Sequence, residues 1–149
     1  MNYIATANQP FMALVDDDLH SARLITRMLL AHGAPDVHWL DGAAAGTEQI
    51  GKWLSDEAPG LPGLVIVDLK STSNAIRDFI AAIRGLPGAE DLRIVALAPS
   101  LDREARSVLL DAGADAVFQR HADIDAYRRE TASIVSFWVR NQHLNAIGA

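Results

Sequence analysis

The chain has 149 residues, half of them hydrophobic and 21% charged, with a formal net charge of −6 and no cysteine. That length fits one domain with a real core, and an acidic balance with no clustered basic face argues against nucleic acid as a direct partner. Lack of cysteine excludes a disulfide framework, a thiolate nucleophile and a Cys-based zinc site; with no apolar run of about eighteen residues and no basic, apolar leader in residues 1–10, the expectation is a cytoplasmic protein that meets no membrane.

Five strand-then-helix units follow one another. Phe11-Met12-Ala13-Leu14-Val15 is an apolar run ending at Asp16-Asp17-Asp18, the pattern of a strand buried on both faces. Ala22, Ile25, Met28, Leu29 and His32 then share one helical face, and Gly33 closes the helix. Val37-His38-Trp39-Leu40 is a short second strand. A weaker helix carries Ala43, Thr47, Ile50 and Leu54 at helical spacing, with Gly46 and Gly51 inside it. The Pro59-Gly60-Leu61-Pro62-Gly63 loop precedes a third strand, Leu64-Val65-Ile66-Val67, which stops at Asp68. Ile76, Phe79, Ile80 and Ile83 define the third helix, stopped by Gly85 and Pro87. Strand four is Arg93–Leu97; Leu101, Ala105, Val108, Leu109 and Ala112 line helix four up to Gly113. Ala116-Val117-Phe118 is strand five. The last helix runs from about Asp123 to Arg140, with Ile124, Tyr127, Thr131, Ile134 and Trp138 on its inner face. Five βα units with short connections predict a single α/β domain over residues 10–140, a doubly wound parallel sheet with helices on both faces, between an extension (1–9) and a tail (141–149).

Ligands of an open parallel sheet sit at the carboxyl ends of its strands. Two strands ending in Asp16-Asp17 and Asp68 would gather several anionic oxygens in one crevice, which demands a counter-charge; a hard divalent cation such as Mg²⁺ is the natural one. Asp18 suits the N-terminus of the first helix instead. Lys70 reads as a solvated loop lysine, though its ammonium could compete with a metal. The five His residues have no metal-ligand spacing, and Trp39 and Trp53 read as core and core-edge packing.

Ala13–Asp18 resembles the opening of response-regulator receiver domains, and Val65-Ile66-Val67-Asp68-Leu69 resembles their phosphoacceptor strand. Ile94–Ala98 and Gly113–His121 fall where the family has its fourth strand and its Gly-Ala, aromatic and Lys-Pro stretch. The resemblance implies a flavodoxin-like (βα)5 fold with sheet order 2-1-3-4-5. It also implies a non-enzymatic role in two-component phosphorelay signalling, with a histidine kinase or phosphotransfer protein as partner. It makes Asp68 the phosphoacceptor, and Asp16, Asp17, Asp68 and the Lys70 backbone carbonyl the ligands of Mg²⁺.

The phosphoryl-binding half departs from the family. Arg120 stands at the Lys position, Ala98 at the hydroxyl position, and Pro99, which has no N–H, follows it. Only the Lys70 N–H keeps its family role. Two missing hydrogen bonds to a charged group remove roughly 3–6 kcal/mol, or two to four decades of an equilibrium constant. Arg120 either grips phosphate bidentately or pairs with Asp68 or Asp17 and locks the pocket; Ser100 is placed to cap helix four. Val117 lacks the aromatic of the family's switch. These departures leave two readings open, a stand-alone receiver acting through protein contacts and a phosphorylation-independent pseudo-receiver scaffold. Asp16-x-Asp18 also resembles the first motif of haloacid-dehalogenase phosphatases, a remote alternative. The Phe137-Trp138-Val139 ending resembles single-domain receivers that partner phytochrome-type kinases; because consecutive helical residues cannot all face inward, it predicts a homodimer through helices four and five and an exposed C-terminal aromatic.

Overall fold

The computed structural model describes residues 9–55 and 60–148, so most of the N-terminal extension, part of the loop before the third strand, and Ala149 lie outside the described residues. Strands β1 (Phe11–Asp16), β2 (Asp36–Asp41), β3 (Leu64–Asp68), β4 (Ile94–Ala98) and β5 (Ala116–Gln119) form one parallel sheet in the order β2-β1-β3-β4-β5. Helices α1 (Leu19–Ala31), α2 (Gly42–Ser55), α3 (Ala75–Arg84), α4 (Arg103–Ala112) and α5 (Ile124–Gly148) alternate with the strands, and a short 3₁₀ turn spans Ala89–Asp91. This is the expected doubly wound (βα)5 fold. No helix among the described residues is long and apolar enough to cross a membrane.

The strands read as unbroken apolar runs because both of their faces are covered. On one side Met12, Leu14, Leu64, Ile66, Val95 and Leu97 meet Ile25 and Leu29 of α1 and Tyr127 and Ile134 of α5. On the other, Ala13, Val15, Val65, Val67, Ile94 and Ala96 meet Ile50 of α2, Leu109 of α4 and Ile76, Phe79, Ile80 and Ile83 of α3. Each fully buried Leu, Ile or Phe contributes roughly 1.5–3 kcal/mol, so register is strongly specified. The β1–β3 register sets Asp16 directly beside Asp68.

Several sequence expectations are corrected. Helix α5 continues to Gly148, past Arg140, and its first residue Ile124 is exposed, with Asp123 capping the helix through Ala126. Leu101 lies before α4, and both it and Val108 are exposed, leaving Leu109 as the buried residue of that helix. Helix α4 is capped by Asp102, which accepts from the Ala105 N–H at 2.8 Å; Ser100 only braces Asp102. Phe137 and Trp138 both pack against their own domain, Phe137 edge-on to Phe118, so the exposed apolar residue of that ending is Val139. Trp39 is exposed rather than core, with its indole N–H donating to the Asp16 carbonyl at 2.8 Å.

Gly46, read as a weakness of α2, is a point of close approach. A methyl there would lie 3.0 Å from the Phe79 ring and 3.1 Å from Val15. Gly51 has open space instead. Gly51→Ala should therefore raise stability by about 0.5–1 kcal/mol through helix propensity. Gly46→Ala should lose about 1 kcal/mol net, because overpacking outweighs the same propensity gain. Denaturant unfolding of the two variants checks both signs.

Candidate functional site

Asp16 and Asp68 end neighbouring strands and are fully buried. Two ionised carboxylates so placed need compensating charge, because desolvation penalises the charged form. The chain supplies it from two side chains. The Lys70 ammonium lies 2.8 Å from Asp16 Oδ1 and 3.0 Å from Asp68 Oδ2, and donates to the Asp68 backbone carbonyl at 3.0 Å. The Arg120 guanidinium grips Asp68 Oδ1 with Nε at 2.9 Å and Nη2 at 2.7 Å. The Arg120 Nη2 also donates to the Leu97 carbonyl, while its backbone N–H donates to the Ala98 carbonyl at 2.7 Å, which anchors the residue to the end of β4. Ser21, in the first turn of α1, donates from Oγ to Asp68 Oδ2 at 3.1 Å. Both carboxylate oxygens of Asp68 are thus engaged.

Asp17 lies outside this group. Its carboxylate accepts from the Lys70 N–H, 3.1 Å to each oxygen, and from the Ser71 N–H at 3.0 Å. It ties the β3–α3 loop to the β1–α1 loop and takes up the Lys70 N–H. Asp18 caps α1 through the His20 N–H and is exposed. It therefore offers no second carboxylate beside Asp16, as the phosphatase alternative requires. Lys70 is not a solvated loop lysine, and Arg120 pairs with Asp68, not Asp17.

The donors expected of β4 are missing in space as well as in sequence. Ala98 is buried at the strand end, Pro99 and Ser100 are exposed, and the Ser100 hydroxyl bonds to Asp102. A hard divalent cation takes six or more oxygens. Among the described residues, no cluster of three or more His, Cys, Asp or Glu side chains is set to hold a metal. Asp16 Oδ2 is a buried acceptor with no partner, but an ammonium already lies between the two facing carboxylates. As placed, the residues hold a cation of their own and do not fit a metal.

The sequence reading missed two residues at the pocket. Ser21 carries only the signal of a hydroxyl in the first turn after the acidic strand end. Tyr127 is buried on α5 with its hydroxyl unpaired, and burial, then the charges of Asp68 and Asp16, push its pKa upward. The Lys70 ammonium, a cation two residues beyond Asp68 in the sequence, takes the competing role and not the solvated one.

Burial is the main force raising the Asp16 pKa from its ordinary 3.8; the Asp68 charge adds to it, and hydrogen bonds from Lys70 and the Asp18 N–H oppose it. The folded chain thus binds the Asp16 proton more tightly than the unfolded chain. That contribution to stability is full below pH 3.8 and is lost as pH rises through the raised folded value. Asp16→Asn keeps an oxygen to accept from the Asp18 N–H and removes this dependence. Denaturant unfolding from acid to neutral pH should show the variant gaining on the wild type as pH climbs through that window. A gap constant with pH would mean that Lys70 offsets the burial of Asp16 in full.

No family model matches the chain, and no curated protein matches it. Solved structures do. The chain is similar to the Mn²⁺-bound form of the response regulator Rcp1, at 18% identity and a TM-score of 0.68, over 87% of this chain and 94% of that one. It is similar to the phosphorylated cyanobacterial phytochrome response regulator RcpA, at 21% identity and a TM-score of 0.69, over 88% and 94% of the two chains. The response regulator RPA3017 in red-light signalling of R. palustris matches at 18% identity and a TM-score of 0.70, over 89% and 95%. The five parallel strands, their order and the near-complete coverage of both partners lead to one conclusion: this chain has the fold of response-regulator receiver domains.

Proposed function

We infer that the chain is a receiver-type module of two-component signalling that acts through protein contacts, not as an enzyme, with Asp68 in the phosphoacceptor position and a poor capacity to hold a phosphoryl group there. The carrying observation is the pairing of Asp68, at the end of the central strand of a receiver fold, with Arg120. An acceptor carboxylate must present a free oxygen to the donor phosphorus. Here Arg120 takes one oxygen and Lys70 and Ser21 take the other. A phosphoryl group, once attached, would meet neither a hydroxyl at Ala98 nor an N–H at Pro99. Arg120 would have to turn from the carboxylate to the phosphoryl oxygens, and its bidentate reach makes that the one compensating contact.

A histidine kinase or phosphotransfer protein is the partner this reading names, and a cytoplasmic site goes with it. Mg²⁺ belongs to it only with the Lys70 ammonium turned away, so that Asp16 and Asp68 are free to hold the ion. The pseudo-receiver scaffold is the same reading with phosphoryl transfer removed, and the paired state of Asp68 favours it. Self-association through α4 and α5 would use Val108, Ile124 and Val139, exposed large apolar residues among the described residues of those helices, rather than the packed aromatics.

Incubation with acetyl phosphate and Mg²⁺, followed by intact-mass measurement, tests the proposal. Labelling at Asp68 should be marginal, in line with a loss of two to four decades from two missing hydrogen bonds. Sedimentation of treated and untreated samples should give one and the same oligomeric state. Stoichiometric, slowly hydrolysed labelling with a shift in sedimentation would establish a working phosphorylation switch and overturn the reading.

A further inference from the structure

The acid pocket of a receiver fold and the residues found in it disagree over what the resident cation is. Resting on the receiver-type reading of this site, we propose that the Lys70 ammonium is a built-in counter-ion that replaces the divalent metal. In this chain the pocket is charge-balanced by covalently attached cations and does not take up Mg²⁺ or Mn²⁺.

Three observations converge. An ammonium has three donors and no acceptor, and that of Lys70 has three oxygen partners in reach: Asp16 Oδ1 at 2.8 Å, Asp68 Oδ2 at 3.0 Å and the Asp68 carbonyl at 3.0 Å. It thus bridges the two facing carboxylates, as a metal between them would. Second, Asp17 is spent on holding Lys70. Its two oxygens clamp the Lys70 and Ser71 N–H groups, which turns a potential metal ligand into a brace for the residue that bears the ammonium. Third, the charges balance. Asp16 and Asp68 are fully buried and face Lys70 and Arg120, whose side chains are only about one-quarter exposed. A dication entering this neutral group would need an ammonium to leave first, and the tether keeps that competitor at high effective concentration. The buried, unpartnered Asp16 Oδ2 is the acceptor that a metal would find if the ammonium were gone.

The test compares the wild type with Lys70→Gln. Mn²⁺ binding is followed by the electron-spin resonance of the free ion, and thermal midpoints are measured with and without millimolar Mg²⁺. The wild type should leave Mn²⁺ free at millimolar concentration, with an unmoved midpoint. Lys70→Gln should bind Mn²⁺ at least ~10-fold more tightly, a step of about one decade in Kd, and should be stabilised by either ion. If this variant folds poorly alone, refolding with and without Mn²⁺ reads the same property, and recovery should depend on the ion. Lys70→Gln combined with Asp16→Asn removes one charge of each sign; it should fold without metal and lose the Mn²⁺ binding again. Wild-type binding of Mn²⁺ as tight as that of Lys70→Gln would overturn the proposal. So would a Lys70→Gln protein that neither binds Mn²⁺ nor gains stability from it. Both readouts are made without a phosphodonor, so their outcome is separate from that of the phosphorylation test.

Discussion

Burial of two carboxylates side by side is the constraint on which the rest of this molecule turns. Parallel pairing of β1 with β3 sets Asp16 beside Asp68 at zero exposure. Charged groups removed from water are costly unless paired and hydrogen-bonded. The surrounding elements answer that demand from four directions: Lys70 from the β3–α3 loop, Arg120 from the end of β5, Ser21 from α1, and the Asp18 N–H from the β1–α1 turn. Two of these groups are held in turn. Asp17 fixes the backbone of Lys70, and the Ala98 and Leu97 carbonyls fix Arg120.

The same arrangement makes no demand on the side chain at the end of β4. Both oxygens of Asp68 and one oxygen of Asp16 are engaged without a hydroxyl at position 98. In this chain the end of β4 contributes carbonyls that position Arg120, and an alanine does that as well as a threonine. Each of the two buried carboxylates is therefore paired with a cation of the chain. The fold is that of receiver domains, and the cations that pair its two buried carboxylates here belong to the chain itself. A buried ion-pair group of this kind gives little net stability over an apolar one, but breaking any one pair leaves an unpaired buried charge.

The fold was legible where periodicity was unambiguous. Strands β1, β3 and β4 are continuous apolar runs because helices cover both faces, and α3 shows all four of its buried residues at helical spacing. Helix α4 was over-read, since Leu101 and Val108 have the right spacing but face outward. Helix α2 was under-read, since Gly46 is there to admit Phe79. In the site, Asp16 and Asp68 were legible as the ends of two strands. The divergence of Asp17 was not: which of two consecutive carboxylates turns to the loop N–H groups depends on where another loop lies. Lys70 was legible as a cation that could compete with a metal but not in its direction, because a flexible side chain two residues past a strand turns to the charges it can reach. Tyr127 and Ser21 come near Asp68 only through the packing of α1 and α5 on one sheet face.

Anomalous diffraction from crystals grown in millimolar MnCl₂ addresses the central claim most directly. The account predicts the Lys70 ammonium within hydrogen-bond distance of Asp16 and Asp68, Arg120 on Asp68, and no manganese peak between the two carboxylates. A manganese peak bridging Asp16 and Asp68, with Lys70 turned to solvent and Asp17 swung in as a ligand, would contradict it.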